Sequence, residues 1–244
     1  MRPVRRGASP IPQDFPNYAD AQPYLISRVG LYCSYCERRI ATSLAVEHIF
    51  PKGVPAFANL IGRWENFLLA CVNCNATKST KVLQTADTLL PDRDNTFAAF
   101  QYGPDGSIVP SPLAVATNRS QAAQAILSLT GIDKKSAQVI DENGKQIAVD
   151  RLSQRLEAWA LAEEAKLDVD GSNSPDVRKW AVKTAKESGF FSIWMTVFAA
   201  DPDMRMRLID AFPGTSDSGC FNSNTGADIY PHPNADGLAH GGKI

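Results

Sequence analysis

The chain has 244 residues, 44% hydrophobic and 21% charged, with a formal net charge of −1. This is the composition of a folded protein, and it excludes a chain disordered throughout and a protein that coats nucleic acid by bulk positive charge. The longest apolar run, 193–200, has eight residues, far short of the roughly 20 a membrane-spanning helix needs.

Arginines stand at positions 2, 5 and 6, but Pro3, Pro10, Pro12 and Pro16 interrupt any apolar stretch behind them. No secretory signal is therefore expected, and the expected location is cytoplasmic. Residues 1–25 read as a basic, proline-rich arm, extended through "SPIPQDFPNYAD". Tyr24, Leu25 and Val29 give 21–31 the spacing of a short helix. From 31 to 81 the apolar stretches are short and separated by loops with Pro51, Gly53, Pro55 and Gly62, which suits two short strands. The stretch "NATKSTKVLQTADTLL" after Cys74 has helix-forming composition up to Pro91. "LLPDRDN", with Asp92, Asp94 and Asn95, reads as a turn rather than a calcium loop, since it lacks the length and the glycine. Residues 100–110 predict a hairpin turning at Pro104, Asp105 and Gly106.

The second half changes to helical spacing over 119–130, 148–167, 175–200 and 202–211, followed from Pro213 by an irregular tail rich in Gly, Asn and Ser. The apolar "SGFFSIWMTVFAA" reads either as core or as an interface.

Charge is uneven along the chain: residues 1–82 carry a net +5 and the remainder −6. A polyanionic partner would dock on the basic part. Arg38 and Arg39 read equally as phosphate contacts or as a solvated face.

Cys33, Cys36, Cys71 and Cys74 form two Cys-x-x-Cys pairs, and Cys220 stands alone. A reducing compartment disfavours structural disulfides, and a thioredoxin-like redox centre uses one pair. Two pairs on tight turns fit a tetrahedral zinc site with four cysteine ligands, closed and therefore structural, that fastens 31–36 to 71–74. Cys220 reads as a small buried hydrophobe. Between the pairs lie Glu47-His48, Asn66 and, just beyond the last cysteine, Asn75 and Lys78.

The succession C-x-x-C, E-H-I-x-P-K, N-x4-C-x-x-C-N-x-x-K over 31–81 resembles the zinc-containing HNH endonucleases, built on a ββα-metal core. The resemblance implies an α+β fold: a small ββα core stabilised by a four-cysteine zinc site, with a mainly α-helical C-terminal region. It places the nuclease domain at 26–100 and the helical region, with its irregular tail, at 101–244. It implies metal-dependent hydrolysis of DNA phosphodiester bonds. His48 matches the general base, Glu47 and Asn75 match ligands of a catalytic divalent ion, and Asn66 matches the residue that fixes the loop bearing the base. Oxygen-only ligands favour magnesium or manganese. The last letter is asparagine rather than histidine, as in the HNH domains of CRISPR effector nucleases. Lys52 and Lys78 are further candidate phosphate contacts, each equally a solvated surface residue. Trp64 and Phe67 read as core rather than stacking platforms.

The architecture resembles effector nucleases of bacterial antiphage systems such as Septu, which implies an ATPase partner acting through the C-terminal helical region and no membrane partner. Two other readings stand beside it: a standalone restriction or repair nuclease, and a zinc-stabilised module that binds nucleic acid or a partner without cleaving.

Overall fold

Strands β1 (Ala45–His48) and β2 (Phe67–Ala70) pair antiparallel, with Glu47 opposite Leu68 and His48 opposite Phe67. In the computed structural model, which describes residues 1–133, 151–172 and 174–244, both faces of β2 are covered. Leu68 and Ala70 join the main apolar cluster, while Phe67 and Leu69 join a second one. Alternate side chains of a strand point to opposite faces. Glu47, which shares a face with Leu68, is thereby carried into a buried position.

Helix α2 (Val72–Lys78) follows directly, with the Cys71 sulfur accepting from the Cys74 amide at its N-terminus. It stops well short of Pro91, against the expectation from composition. Ser79 takes φ 48°, a left-handed conformation that ends the helix, and Leu83, Leu89 and Leu90 are buried one by one as the chain turns.

The N-terminal arm is wrapped onto the protein rather than free. Arg2 donates to the carbonyls of Val29 and Pro213 at 2.6 Å each, and Arg6 pairs with Asp92 at 2.9 Å. Phe15 stacks on Trp64 with ring centroids 6.0 Å apart, and both rings are buried. Helix α1 (Gln22–Val29) follows, burying Leu25 and Val29.

The hairpin forms as its turn residues predict, with β3 (Phe100–Tyr102) against β4 (Ile108–Pro110). Beyond it come α3 (Pro112–Ala116), α4 (Ser120–Thr130) and α5 (Arg151–Ser172). The expected start of α5 at 148 lies outside the described residues.

The helix expected over 175–200 is two, α6 (Pro175–Ser188) and α7 (Phe191–Val197), separated by Gly189 and Phe190, both at positive φ. The cause is tertiary. Gly189 packs so closely on the turn after Cys36 that a Cβ there would lie 2.7 Å from the Glu37 carbonyl and the Arg39 nitrogen. Glu37 then caps α7, accepting from the Ser192 amide at 2.7 Å and its hydroxyl at 2.6 Å. The apolar residues Phe191, Ile193, Trp194 and Met195 are interior. Of the two readings of that stretch, core holds.

Helix α8 (Pro202–Ala211) precedes the irregular tail, in which Phe221 bridges Asp228 and the Ile244 carbonyl accepts from Asn95 and His232 at 2.9 Å each. Cys220 is fully buried. The main apolar cluster runs from Cys33 through Phe100 to Phe212 without a break at residue 100.

Candidate metal clamp and active-site cleft

The Cys33–Cys36 segment is a tight turn, closed by the Glu37 amide donating to the Cys33 carbonyl at 2.9 Å. Cys71 and Cys74 enter from the end of β2 and the first turn of α2. All four are buried, and their sulfurs lie within 4.8 Å of one another. A tetrahedral site with ~2.3 Å metal–sulfur distances has edges of about 3.8 Å, and the Cys36 and Cys71 sulfurs are 3.7 Å apart. None of the five cysteines is in a disulfide. The cluster could hold a structural metal ion such as zinc.

Two arginines offset the charge that such a cluster would carry. Arg151 Nη1 is 3.3 Å from the Cys74 sulfur. Burial works against the Arg38 charge, but the neighbouring cysteine sulfurs outweigh it and hold the guanidinium above its ordinary value. Arg38 also donates to Gln154 at 3.0 Å, and Arg39 pairs with Glu187 at 3.3 Å. Neither lines the cleft described next.

That cleft, of about 470 Å³, lies against β1 and α2 and is lined by Glu47, His48, Lys52, Asn75 and Lys78 together with Tyr18. His48 ends β1 beside Phe67, with ring centroids 5.2 Å apart. Its Nε2 is 3.0 Å from the Ile61 carbonyl. A carbonyl can only accept, so in the neutral imidazole Nε2 carries the proton and Nδ1 keeps the lone pair. Burial, with Lys52 and Lys78 nearby, pushes the imidazole below its ordinary value, against the pull of that carbonyl. His48 is thus neutral and basic at pH 7.

Asn66 ties the ends of the loop after His48 together. Its Oδ1 accepts from the Phe50 amide at 2.7 Å, and its Nδ2 donates to the carbonyls of Phe50 and Leu60 at 3.1 and 3.0 Å.

Lys78 is turned inward, unlike the surface phosphate contact expected. Its ammonium donates to the His48 carbonyl at 2.6 Å and sits 2.9 Å from Glu47 Oε1. The reason is local: Lys78 is the last residue of α2, which packs on β1, and its head meets the polar atoms of Glu47 and His48 there. Burial lifts the Glu47 carboxyl above its ordinary value, and Lys78 opposes that lift. The contact lacks hydrogen-bond geometry, so Glu47 Oε1 is engaged by an ion pair rather than by an aligned hydrogen bond.

Asn75 lines the same cleft, and among the described residues its side-chain amide has no hydrogen-bond partner. The Glu47 carboxylate and the uncommitted Asn75 amide oxygen, both lining one cleft, are the hard oxygen donors that a divalent ion takes. Lys52 is exposed at the cleft mouth.

The family model described as HNH endonuclease matches residues 33–81. This segment is an HNH domain. No curated protein matches the chain. The match spans both cysteine pairs, Glu47-His48, Asn66 and Asn75, and ends past the C-terminus of α2. Among the described residues no helix is long and apolar enough to cross a membrane.

Two parts of the cleft escaped the sequence. The Ile61 carbonyl that sets the His48 tautomer is backbone and leaves no trace in residue identity. Tyr18 comes from the arm ahead of the HNH domain, and its only signal was an aromatic residue in a proline-rich stretch.

Proposed function

We propose that the protein is a metal-dependent endonuclease that hydrolyses DNA phosphodiester bonds in the Glu47–His48–Asn75 cleft, with zinc in the four-cysteine clamp. The observation that carries this reading is the His48 imidazole. It is buried beside Glu47 and Asn75, with Nε2 committed to the Ile61 carbonyl and Nδ1 left to accept a proton. A module that only binds nucleic acid has no use for a base poised in this way next to a buried carboxylate.

In this reading His48 Nδ1 takes a proton from a water as the water oxygen attacks phosphorus and the phosphorus bond to the leaving oxygen breaks. Asn66 and the Ile61 carbonyl keep the base and its loop in place. Glu47 and Asn75 would hold magnesium or manganese, which when bound supplies positive charge to the phosphate oxygens. Lys78 keeps the Glu47 carboxylate charged and oriented inside the protein. Lys52 faces the phosphates. Arg38 and Arg39, tied to Gln154 and Glu187 outside the cleft, would serve only as distant contacts to flanking DNA.

The test is incubation of supercoiled plasmid with the purified protein and magnesium or manganese. Conversion to nicked or linear DNA is expected, and plasmid that stays intact with either ion defeats the reading.

The cellular role we propose, cytoplasmic antiphage defence with an ATPase partner, rests on architecture: an HNH core followed by a helical region. Exposed Leu167 and Trp180 on α5 and α6, 73% and 62% accessible, offer such a partner a surface. Co-purification of an ATPase from the native host is expected. A protein that purifies alone and cleaves at full rate favours the standalone nuclease.

A further inference from the structure

We infer that Tyr18 and Lys52 form one phosphate-binding element at the mouth of the cleft, in which Lys52 is the DNA contact and Tyr18 the residue that positions it. The inference rests on the nuclease reading for its substrate and extends the site beyond the HNH domain, since Tyr18 precedes residue 33.

The Lys52 ammonium lies 4.1 Å from the centre of the Tyr18 ring and donates to the Tyr18 hydroxyl. A lysine on an exposed loop ordinarily samples many rotamers, and ordering it on binding costs affinity. Here one N–H is held by the hydroxyl, which leaves two N–H groups for phosphate oxygens. The Tyr18 ring also meets His48 edge-on, with centroids 4.8 Å apart. The lysine is therefore held beside the base.

Tyr18 is itself fixed. Asn17 caps its turn by accepting from the Ala19 amide at 3.2 Å, and Gln22 donates to the Leu44 carbonyl. The Phe15 amide donates to the Gly62 carbonyl at 2.9 Å. A Cβ on Gly62 would come within 2.4 Å of the Phe15 carbonyl oxygen, so the arm and the loop after His48 meet backbone to backbone. The arm is a wall of the cleft, seated on the same loop that carries Lys52.

Tyr18→Phe isolates the hydroxyl, because it keeps the ring contact with His48. We expect it to weaken binding of a duplex oligonucleotide, measured without added divalent ion, about two- to tenfold, the effect of releasing one lysine side chain. In cleavage the change should fall on KM rather than kcat. Lys52→Ala should weaken binding at least as much and lower the salt slope by about one, and Tyr18→Phe added to Lys52→Ala should change nothing further. Unaltered affinity and KM in Tyr18→Phe overturn the inference, as do effects of the two substitutions that simply add. Should the wild-type protein bind DNA through this coupled pair and yet leave plasmid intact, the element stands and the nuclease reading falls.

Discussion

Two groups of polar side chains hang on the same ββα unit, and they differ in what is left open. The clamp gathers four identical donors, all buried, around one point. The cleft gathers unlike groups: His48 with Nε2 taken and Nδ1 open, Glu47 in an ion pair with Lys78 but with no aligned hydrogen bond on Oε1, Asn75 with its amide uncommitted. A closed shell makes a metal a fastener, whereas an incomplete one leaves room for water and substrate. One short segment thus builds a half that ties residues 33–36 to 71–74 and a half-satisfied one that can act on something else.

The largest effect expected is on the clamp. Cys71→Ser should abolish a cooperative thermal transition, because structural zinc sites contribute roughly 10–16 kcal/mol against a total stability of about 5–15 kcal/mol. Circular dichroism on heating, with metal content measured alongside, reads this, and an unchanged melting curve would show that the clamp does not hold the fold.

In the cleft the effect should be on rate instead. His48→Ala is expected to keep the wild-type metal content and fold while nicking falls about 10²–10⁴-fold. Full nicking by that variant would remove His48 from the role of base.

Lys78→Met tests whether the two halves share an interior. It leaves the Glu47 carboxylate, 2% exposed, without a counter-charge, a loss of about 3–5 kcal/mol readable as a lowered urea midpoint. Lys78→Met with Glu47→Gln, which leaves neither charge, should recover much of it, and a double variant as unstable as the single one would place the cost in packing.

The smallest effect concerns pH. His48 accepts a proton only when neutral, so the rate falls as pH drops through its pKa. Because that pKa lies below the ordinary value near 6.5, the rate should stay flat through neutral pH and fall only on the acid side of 6.5. A midpoint at or above 6.5 in a pH–kcat profile would contradict the buried environment of the imidazole.

Much of the clamp was legible because it is local chemistry. Two Cys-x-x-Cys turns bring their sulfurs inward whatever surrounds them, and the order of Glu47-His48, Asn66 and Asn75 between and beside them marks the HNH segment. The hairpin at 100–110 and the helices at 120–130 and 202–211 followed from turn residues and apolar spacing for the same reason. What spacing cannot encode is which distant backbone a side chain meets.

Composition carried α2 toward Pro91, but the turn at Ser79 ends it and Lys78 is buried against Glu47 and the His48 carbonyl. Periodicity joined 175–200 into one helix, but residues 37–39 dock against Gly189 and divide it, and Glu37 starts α7 afresh. Proline content predicted an extended arm, and Phe15 on Trp64 and Tyr18 on His48 make that arm a wall of the cleft. The sequence by itself determined the four-cysteine cluster and the identity of the candidate base. Only the tertiary structure decided the tautomer of that base, the burial of Lys78 and the presence of Tyr18, because each depends on a contact between residues far apart in the chain or on a backbone carbonyl that every residue carries alike.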